Sequence, residues 1–271
     1  MNKLKIFVCV KQVPGVAEVR IDPKTNTLIR QGIPSVLNSH DKYAIELALQ
    51  IKENYGGEVI AISMGPPQAE QALREVLAMG ADKAYLLTDR TFAGADTLAT
   101  SYTLALAVKK ILSETDEKKN YLVICGIQAY DGDTAQVPPE MAEELEIPQI
   151  TYVSKFELKG NKVIVERAFR KEEAVVIETK LPVLISVVKD INKPRNPSIQ
   201  NIVEAYQKKK IIPYNAKDLN AKRSKIGLKG SPTEVWKIYL PERKGEHKIL
   251  SGSDEEVALK LVKNLKKDKI I

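Results

Sequence analysis

The feature that most constrains this fold is a regular alternation of short apolar runs with segments whose apolar residues recur at helical spacing. The apolar runs are typical of buried strands and lie at residues 5–10, 58–64, 83–87 and 121–125. Helical spacing follows each of them in turn, at residues 44–51, 73–80, 98–112 and 136–145. Asp41 is expected to be the N-cap of the first of these helices. This alternation predicts an α/β fold with a doubly wound, mostly parallel sheet.

The pattern changes after residue 150. Three strand-like runs separated by turn signals predict an antiparallel hairpin extension, and they lie at residues 151–158, 162–169 and 174–179. One more buried strand is expected at 181–188, and a helix at about 198–208. Near the N-terminus, residues 18–22 and 27–30 flank a polar turn and predict a second, smaller hairpin.

These patterns divide the chain into three predicted parts. Residues 1–208 form the α/β domain, and residues 209–252 have so little apolar periodicity that an extended arm is expected. Residues 253–271 predict a C-terminal amphipathic helix.

Composition and motifs exclude several classes of protein. The longest apolar runs are about eight residues, far short of the ~20 that span a bilayer, so no membrane insertion is expected. The two cysteines, Cys9 and Cys125, lie inside apolar runs and predict reduced core thiols in a cytoplasmic protein. Two histidines and no paired cysteines predict no metal site. The phosphate loop, the dinucleotide glycine motif and the hydrolase nucleophile elbow are all absent.

The net charge of +7 is unevenly distributed. Residues 1–188 carry 22 basic and 25 acidic side chains, whereas residues 189–271 carry 20 and 10. The second part is either a lysine-rich solvated surface or a basic region that binds an acidic partner or a phosphate. Nucleic acid is not expected as a partner, because the basic residues are not interleaved with aromatic ones.

The most informative segment is Gly126-Ile-Gln-Ala-Tyr-Asp-Gly-Asp-Thr-Ala-Gln-Val137, which follows a predicted strand and precedes a predicted helix. Ligands of open α/β sheets bind outside the carboxyl ends of the strands, where this loop lies. Gly126 and Gly132 permit a close backbone approach, and Asp133 or Thr134 is expected to cap the helix. Loops at 9–14, 38–41 and 64–67 are expected at the same edge. An ordinary loop with an aspartate cap is the alternative.

The sequence resembles the small (beta) subunit of electron-transfer flavoproteins over nearly the whole chain. The segments that carry this resemblance are Val10-Lys-Gln-Val-Pro14, Glu18-Val-Arg-Ile-Asp22, Ala78-Met-Gly-Ala-Asp82, the 126–137 loop, Val165-Glu-Arg167, Lys180-Leu-Pro182, Asn192-Lys-Pro-Arg195 and Lys208-Lys-Lys210. The Lys-Gln-Val-Pro opening, the 21–30 hairpin and the Asp-Gly-Asp-Thr-Ala-Gln loop resemble the electron-bifurcating, nitrogen-fixation-type branch.

The resemblance implies a Rossmann-like, adenine-nucleotide-binding domain in an electron-transport heterodimer with a larger alpha subunit, which the 209–252 arm would contact. In the bifurcating branch this subunit binds FAD, which accepts a hydride from transiently bound NADH and passes electrons to the FAD of the alpha subunit and to a low-potential acceptor. In the housekeeping branch the same site holds structural AMP, and no NADH is oxidised. The implied redox partner is ferredoxin, or a dehydrogenase or quinone oxidoreductase, and any oxidoreductase activity exists only within the complex. A third hypothesis is a nucleotide-binding module or ATP-using enzyme, which the missing phosphate-loop lysine disfavours.

The resemblance also carries site residues over by position. The implied nucleotide contacts are Cys9, Asn38, Ser39, His40, Asp41, Met64, Gly126, Gln128, Asp131, Gly132, Asp133, Thr134, Ala135, Gln136 and Val137, and no catalytic side chain is implied. Because like charges repel, Asp131 and Asp133 suit capping and ribose contact better than phosphate contact. The turn at 190–200, with Ile191 at its apex beside Lys193 and Arg195, corresponds to the loop that grips redox partners. The chain departs from the family in having Asn38-Ser-His-Asp41 instead of Asn-Pro-acidic-acidic, and Phe169-Arg-Lys-Glu172 instead of a Gly-Gly turn.

Overall fold

A computed structural model describes residues 3–15, 20–21, 28–29, 34–115, 119–170, 173–236 and 248–271. Its strands are β1 Lys5–Cys9, β2 Gln12–Pro14, β3 Arg20–Ile21, β4 Leu28–Ile29, β5 Ser35–Leu37, β6 Glu58–Met64, β7 Lys83–Leu87, β8 Tyr121–Gly126, β9 Gln149–Lys159, β10 Lys162–Arg170, β11 Glu173–Lys180, β12 Val183–Val187 and β13 Ile211–Tyr214. Its α-helices are α1 Ser39–Tyr55, α2 Glu70–Met79, α3 Thr97–Ser113, α4 Val137–Leu145, α5 Ile199–Gln207 and α6 Asp254–Lys267.

Nine strands form one sheet in the order β11-β10-β9-β12-β8-β1-β6-β7-β13. In the part of this order that runs β9-β12-β8-β1-β6-β7-β13, every neighbouring pair is parallel. In contrast, β10 is antiparallel to both β9 and β11. The predicted doubly wound parallel sheet with an antiparallel extension is therefore confirmed. The chain builds outward from β1 through β6 to β7, and then returns to β8 on the other side of β1. The strand order thus reverses between β1 and β8, where ligands of such sheets bind.

An apolar cluster covers each face of the sheet. Ile6 and Val8 of β1 belong to the cluster that includes residues of α1 and α2, whereas Phe7 belongs to the cluster that includes residues of α3 and α4. Successive side chains of a strand point to opposite faces, so β1 contributes to both clusters. Burial on both faces explains why the central strands are continuous apolar runs.

The segment predicted as an arm begins as part of the sheet. β13 pairs in parallel with β7 and forms the edge of the sheet. Tyr214, Leu219 and Ile226 are buried in the cluster on the α3 face. The sequence analysis missed this strand because four residues with a central proline, Pro213, are too few to show a period. Residues 237–247 of the predicted arm lie outside the described residues.

Two other predicted features lie partly outside the described residues. β3 and β4 occupy the two strand positions of the predicted 18–30 hairpin, and the turn between them is not among the described residues. Residues 171–172, where the chain departs from the family's Gly-Gly turn, are also outside them.

Helix α1 begins earlier than predicted. Its N-cap is Asn38, and Asp41, predicted as the cap, lies within the first turn and is buried. The Asp41 carboxylate accepts a hydrogen bond from the Lys11 backbone amide at 2.8 Å. Because that carboxylate bonds to a neighbouring loop, it does not cap its own helix.

The turn that follows β12 is fixed to α1. Ile191, expected at an exposed apex, is half-buried against the apolar cluster that contains α1. Asn192 donates its side-chain amide to the Tyr43 carbonyl at 2.9 Å. The Arg195 guanidinium donates to Glu46 at 2.8 Å and to Glu53 at 2.6 Å. Two of the three residues expected to face a partner, Ile191 and Arg195, therefore pack against their own domain.

Residues 248–271 belong to a second compact unit. Its helix α6 begins with a capping box in which the Ser253 hydroxyl and the Glu256 carboxylate each accept a backbone N–H. Acidic residues occupy its first turn and Lys266 and Lys267 its last turn, which matches the helix dipole. Across the described ranges, no helix is both long and apolar enough to cross a membrane.

Candidate functional site

The candidate site lies at the carboxyl ends of β1 and β8. Cys9 of β1 is the register partner of Cys125 of β8, so residues 10–15 and 127–136 leave the sheet side by side. Asn38 and the start of α1 lie beside both loops, because the Asn38 amide donates to the Lys11 carbonyl at 2.9 Å. The fold therefore brings together three of the four loops expected at this edge. The fourth, 64–67, follows β6, the other parallel neighbour of β1, and leaves the sheet at the same edge.

Asn38 is the hydrogen-bonding centre of these loops. Its side-chain Nδ2 donates to the Gln128 carbonyl and to Asp41 Oδ1, each at 2.9 Å. Its Oδ1 accepts from the Tyr130 backbone amide at 3.2 Å. Asn38 is buried, so water cannot easily replace these hydrogen bonds. Each bond therefore fixes the position of the segment that it joins.

Asp41 completes this network as a fully buried carboxyl group. Burial raises the pKa of Asp41 to about 7, although the hydrogen bonds from the Lys11 amide and Asn38 and the charge of the Lys11 ammonium act in the opposite direction. The carboxyl group therefore changes its protonation state in the physiological range.

Gly126, the last residue of β8, lies directly against the start of α1. A Cβ atom there would lie 2.4 Å from Asp41 Oδ1 and 2.9 Å from the Asp41 backbone nitrogen. Only glycine allows this close approach. The first glycine of the 126–137 segment is therefore needed for packing against the start of α1. Gly132, in contrast, has open space around the same position.

The loop that follows Gln128 folds back on itself. The amides of Gly132 and Asp133 donate to the Ala129 carbonyl at 3.2 and 2.8 Å. The Gln128 side-chain amide donates to Asp133, and Asp131 forms an ion pair with the Lys11 ammonium at 2.7 Å. Both aspartates therefore have partners within the protein.

The backbone beyond this turn offers unpaired donors. Asp133 and Ala135 have left-handed φ values of 55°, a conformation that side chains other than glycine adopt at a cost. Within the described ranges, the amides of Thr134, Ala135, Gln136 and Val137 make no hydrogen bond. Consecutive amides in alternating backbone conformations form a concave binding site for an anion.

The start of α4 differs from the prediction. Its N-cap is Gln136, without a side-chain cap bond, so neither Asp133 nor Thr134 caps it. Pro138 and Pro139 are its second and third residues and have no N–H. An anion at this helix end can therefore use only the amides up to Val137, and the loop supplies the other donors.

The remaining predicted residues lie around this network at different depths. Cys9 is buried, Met64 and His40 are half-buried, and Ser39 and Thr134 are exposed. Lys11 and Tyr130 were not predicted as site residues, although Lys11 binds Asp41 through its amide and Asp131 through its ammonium. Their positions immediately after β1 and inside the glycine loop were the only signals available in the sequence.

Comparison with known proteins adds independent information. The family model described as "Electron transfer flavoprotein domain" matches residues 25–219. The chain is 50% identical over 268 residues to the electron transfer flavoprotein subunit beta of Thermoanaerobacterium thermosaccharolyticum, covering 99% of this chain and 100% of that protein. It is 48% identical over 270 residues to the caffeyl-CoA reductase-Etf complex subunit CarD of Acetobacterium woodii, covering 99% and 100%. It is 43% identical over 261 residues to protein FixA of Bradyrhizobium diazoefficiens, covering 94% and 89%.

Replacing Gly126 with alanine is expected to disrupt the site. The new methyl group overlaps the Asp41 carboxylate and the start of α1, so we expect the free energy of unfolding to fall by at least about 2 kcal/mol. Urea denaturation measures this loss. Gly132→Ala is the matched control, since nothing lies within 4 Å of the position its methyl group would take. Equal stabilities of the two variants would contradict the close approach at Gly126.

Asp41 is expected to make stability depend on pH. Its pKa is raised from 3.8 to about 7 on folding, so the stabilisation is complete below about pH 4 and is lost as the pH rises towards 7. We expect the wild type to lose up to about 4 kcal/mol relative to Asp41→Asn over this range, with no further change above it. Denaturation curves between pH 4 and pH 8 test this, with Asp190→Asn as the control, because Asp190 is exposed and does not act on the pKa of Asp41. A constant difference between wild type and Asp41→Asn would show that the carboxyl group does not titrate there.

Proposed function

Because the chain belongs to the beta subunits of the electron transfer flavoproteins, we propose that its site binds the FAD of an electron-bifurcating heterodimer. The single observation that best supports nucleotide binding is the row of unpaired amides from Thr134 to Val137 at the strand-order reversal. Bound FAD would supply the redox chemistry, namely acceptance of a hydride from NADH and its division into single electrons.

The residues around this row suit a diphosphate group. Thr134 is exposed and adds a hydroxyl donor beside the backbone amides. Lys11 is occupied by Asp131, so neutral donors carry most of the proposed phosphate binding. Asp133 is held through the Gln128 amide, which leaves a carboxylate oxygen available for a ribose hydroxyl.

The proposed partner subunit is an alpha subunit with its own FAD. Three apolar side chains at the end of the first unit are largely exposed: Leu228 is 55% exposed, Val235 74% and Trp236 97%. They lie in the segment that the sequence analysis predicted to contact the alpha subunit, and large exposed apolar groups mark protein interfaces. We place the alpha subunit on this segment.

AMP is the alternative occupant of the same site. Both nucleotides share the adenosine and a phosphate, so the amide row alone does not distinguish them. The FAD hypothesis is favoured by the Lys-Gln-Val-Pro opening, the 21–30 hairpin and the Asp-Gly-Asp-Thr-Ala-Gln loop, which resemble the electron-bifurcating branch. The deciding measurement is the cofactor content of the purified heterodimer: two FAD supports bifurcation, whereas one FAD with one AMP supports the housekeeping function.

A carboxylate at position 134 is expected to remove this subunit's nucleotide. Thr134→Glu places a negative charge among the amides, and like charges juxtaposed in a binding site cost several kcal/mol, so we expect at least ~100-fold weaker binding. Thr134→Gln is the matched control, because glutamine has nearly the same size as glutamate but carries no charge. Cofactor content after gel filtration is the readout, and the FAD of the alpha subunit should remain. Full occupancy of both sites in Thr134→Glu would mean that the loop does not hold the phosphates.

We also propose a docking surface for the redox partner on α5, beside the turn predicted for that role. Ile199 is 83% exposed, and Val203 and Tyr206 on the same helix are also exposed. Arg74 fixes this helix by donating to the Ala205 carbonyl at 2.5 Å. The exposed Lys193 and the basic charge of residues 189–271 favour an acidic redox protein, such as a ferredoxin.

Replacing Ile199 with alanine is expected to slow electron transfer to that partner. Loss of one apolar contact should raise the apparent KM for the partner roughly tenfold and leave the cofactor content and melting temperature unchanged. Val176→Ala is the control, because Val176 is also exposed but lies on β11 at the other end of the sheet. An identical KM for the wild type and Ile199→Ala would exclude α5 as the docking surface.

A further inference from the structure

The two cysteines of this chain lie directly opposite each other in the sheet. Cys9 on β1 and Cys125 on β8 are register partners in a parallel pair. Both thiols are free and buried, and the sequence contains no other cysteine. The function proposed above uses neither thiol.

The two side chains also share one face of the sheet with a third sulfur atom. Register partners on neighbouring strands point to the same side, and neighbouring strands are about 4.8 Å apart. Cys9 and Cys125 belong to the same apolar cluster as Met141 of α4. The Cys9 thiol donates to the Met141 thioether at 3.7 Å. Three soft sulfur atoms therefore meet behind the loops of the nucleotide site.

We propose that Cys9 and Cys125 form a chelating dithiol site for one trivalent arsenic atom, supplied as arsenite. Two S–As bonds form and two As–O bonds break, and the two thiol protons leave with two hydroxides as water. The oxidation states of arsenic and sulfur do not change, so no further reactant is needed. The Met141 thioether offers a third, weaker soft contact.

Arsenite suits this site better than a metal cation does. Trivalent arsenic hydroxide is uncharged near neutral pH, and its dithiol adduct is also uncharged, so no ion has to enter an apolar cluster. The hydrogen bond with Cys9 and burial raise the pKa of the Cys125 thiol, which disfavours the thiolates that cations require. Among the residues described, no cluster of three or more His, Cys, Asp or Glu side chains offers a competing site.

The position of the pair links it to the nucleotide loops. Cys125 precedes Gly126, whose backbone contacts the start of α1, and Cys9 lies two residues before Lys11, whose amide binds Asp41. Cys9 is 8% exposed, which leaves a narrow approach from this edge. We therefore expect a bound nucleotide to slow the entry of arsenite, a consequence that rests on the proposed function.

The test is arsenite uptake by the reduced, full-length chain. We expect one arsenic per chain after desalting, measured by native mass spectrometry, and its release by an excess of a small dithiol. Cys9→Ser and Cys125→Ser each keep one thiol and should bind at least ~100-fold more weakly, because the chelate is lost. No uptake by the folded wild type, or equal uptake by a single-cysteine variant, would overturn the proposal.

Two further measurements keep the result interpretable if a serine variant folds poorly. In the wild type, one equivalent of arsenite should protect both thiols from a maleimide together, and protection of only one thiol would overturn the chelate. Met141→Leu conserves volume and keeps the dithiol, so it should still bind one arsenic but release it faster. Equal release rates for Met141→Leu and the wild type would remove Met141 from the site. Added FAD or AMP tests the link to the nucleotide loops separately: unchanged uptake would reject that link and leave the dithiol site standing.

Discussion

The candidate site depends on the buried hydrogen bonds that join Asn38 and Asp41 to the loops on either side. These two residues bind the Lys11 and Tyr130 amides and the Gln128 carbonyl, so the ends of β1 and β8 are held at a fixed separation. Each bond is made in a low-dielectric interior, where an unsatisfied donor or acceptor is costly. The amides from Thr134 to Val137 can remain unpaired because this network, together with the internal hydrogen bonds of the 129–133 turn, holds the preceding backbone in place.

Helix α1 extends this fixed geometry to the turn after β12. Its first turn contributes Asp41 to the site, while Glu46 and Glu53 farther along hold Arg195 in the turn after β12. Burial raises the pKa of Glu46, but the hydrogen bonds and charge of Arg195 outweigh burial and lower it overall. Because Glu46 is almost completely buried, loss of its pairing with Arg195 would leave a buried charge without compensation and destabilise the fold. One helix therefore positions both the loops of the candidate site and the turn that leads into α5.

Sequence reasoning predicted the sheet well and the details of the site less well. The central strands are buried on both faces, so their apolar runs have clear limits, and the predicted 58–64 and 83–87 match β6 and β7. Helix starts were harder to predict, because Asp41 has the chemistry of a cap but bonds to a neighbouring loop instead. For a similar reason, Ile191 is not the exposed apex that was predicted. Its partial burial depends on α1, a helix about 150 residues earlier in the chain. Contacts between segments that are distant in the chain produce no local periodicity in the sequence.

The unusual start of α4 explains how the proposed nucleotide site could exist without a phosphate-loop motif. Pro138 and Pro139 remove two of the amides that a helix N-terminus normally offers, so the helix alone is a weak anion site. The left-handed conformations of Asp133 and Ala135 compensate, because alternating backbone conformations allow the consecutive amides from Thr134 to Val137 to form a concave anion site. These two conformations cost of order 1 kcal/mol or more each, and they persist because the network around Asn38 fixes the loop at its base. Binding of an anion would then need little reorganisation, since the donors are already in place before the ligand arrives.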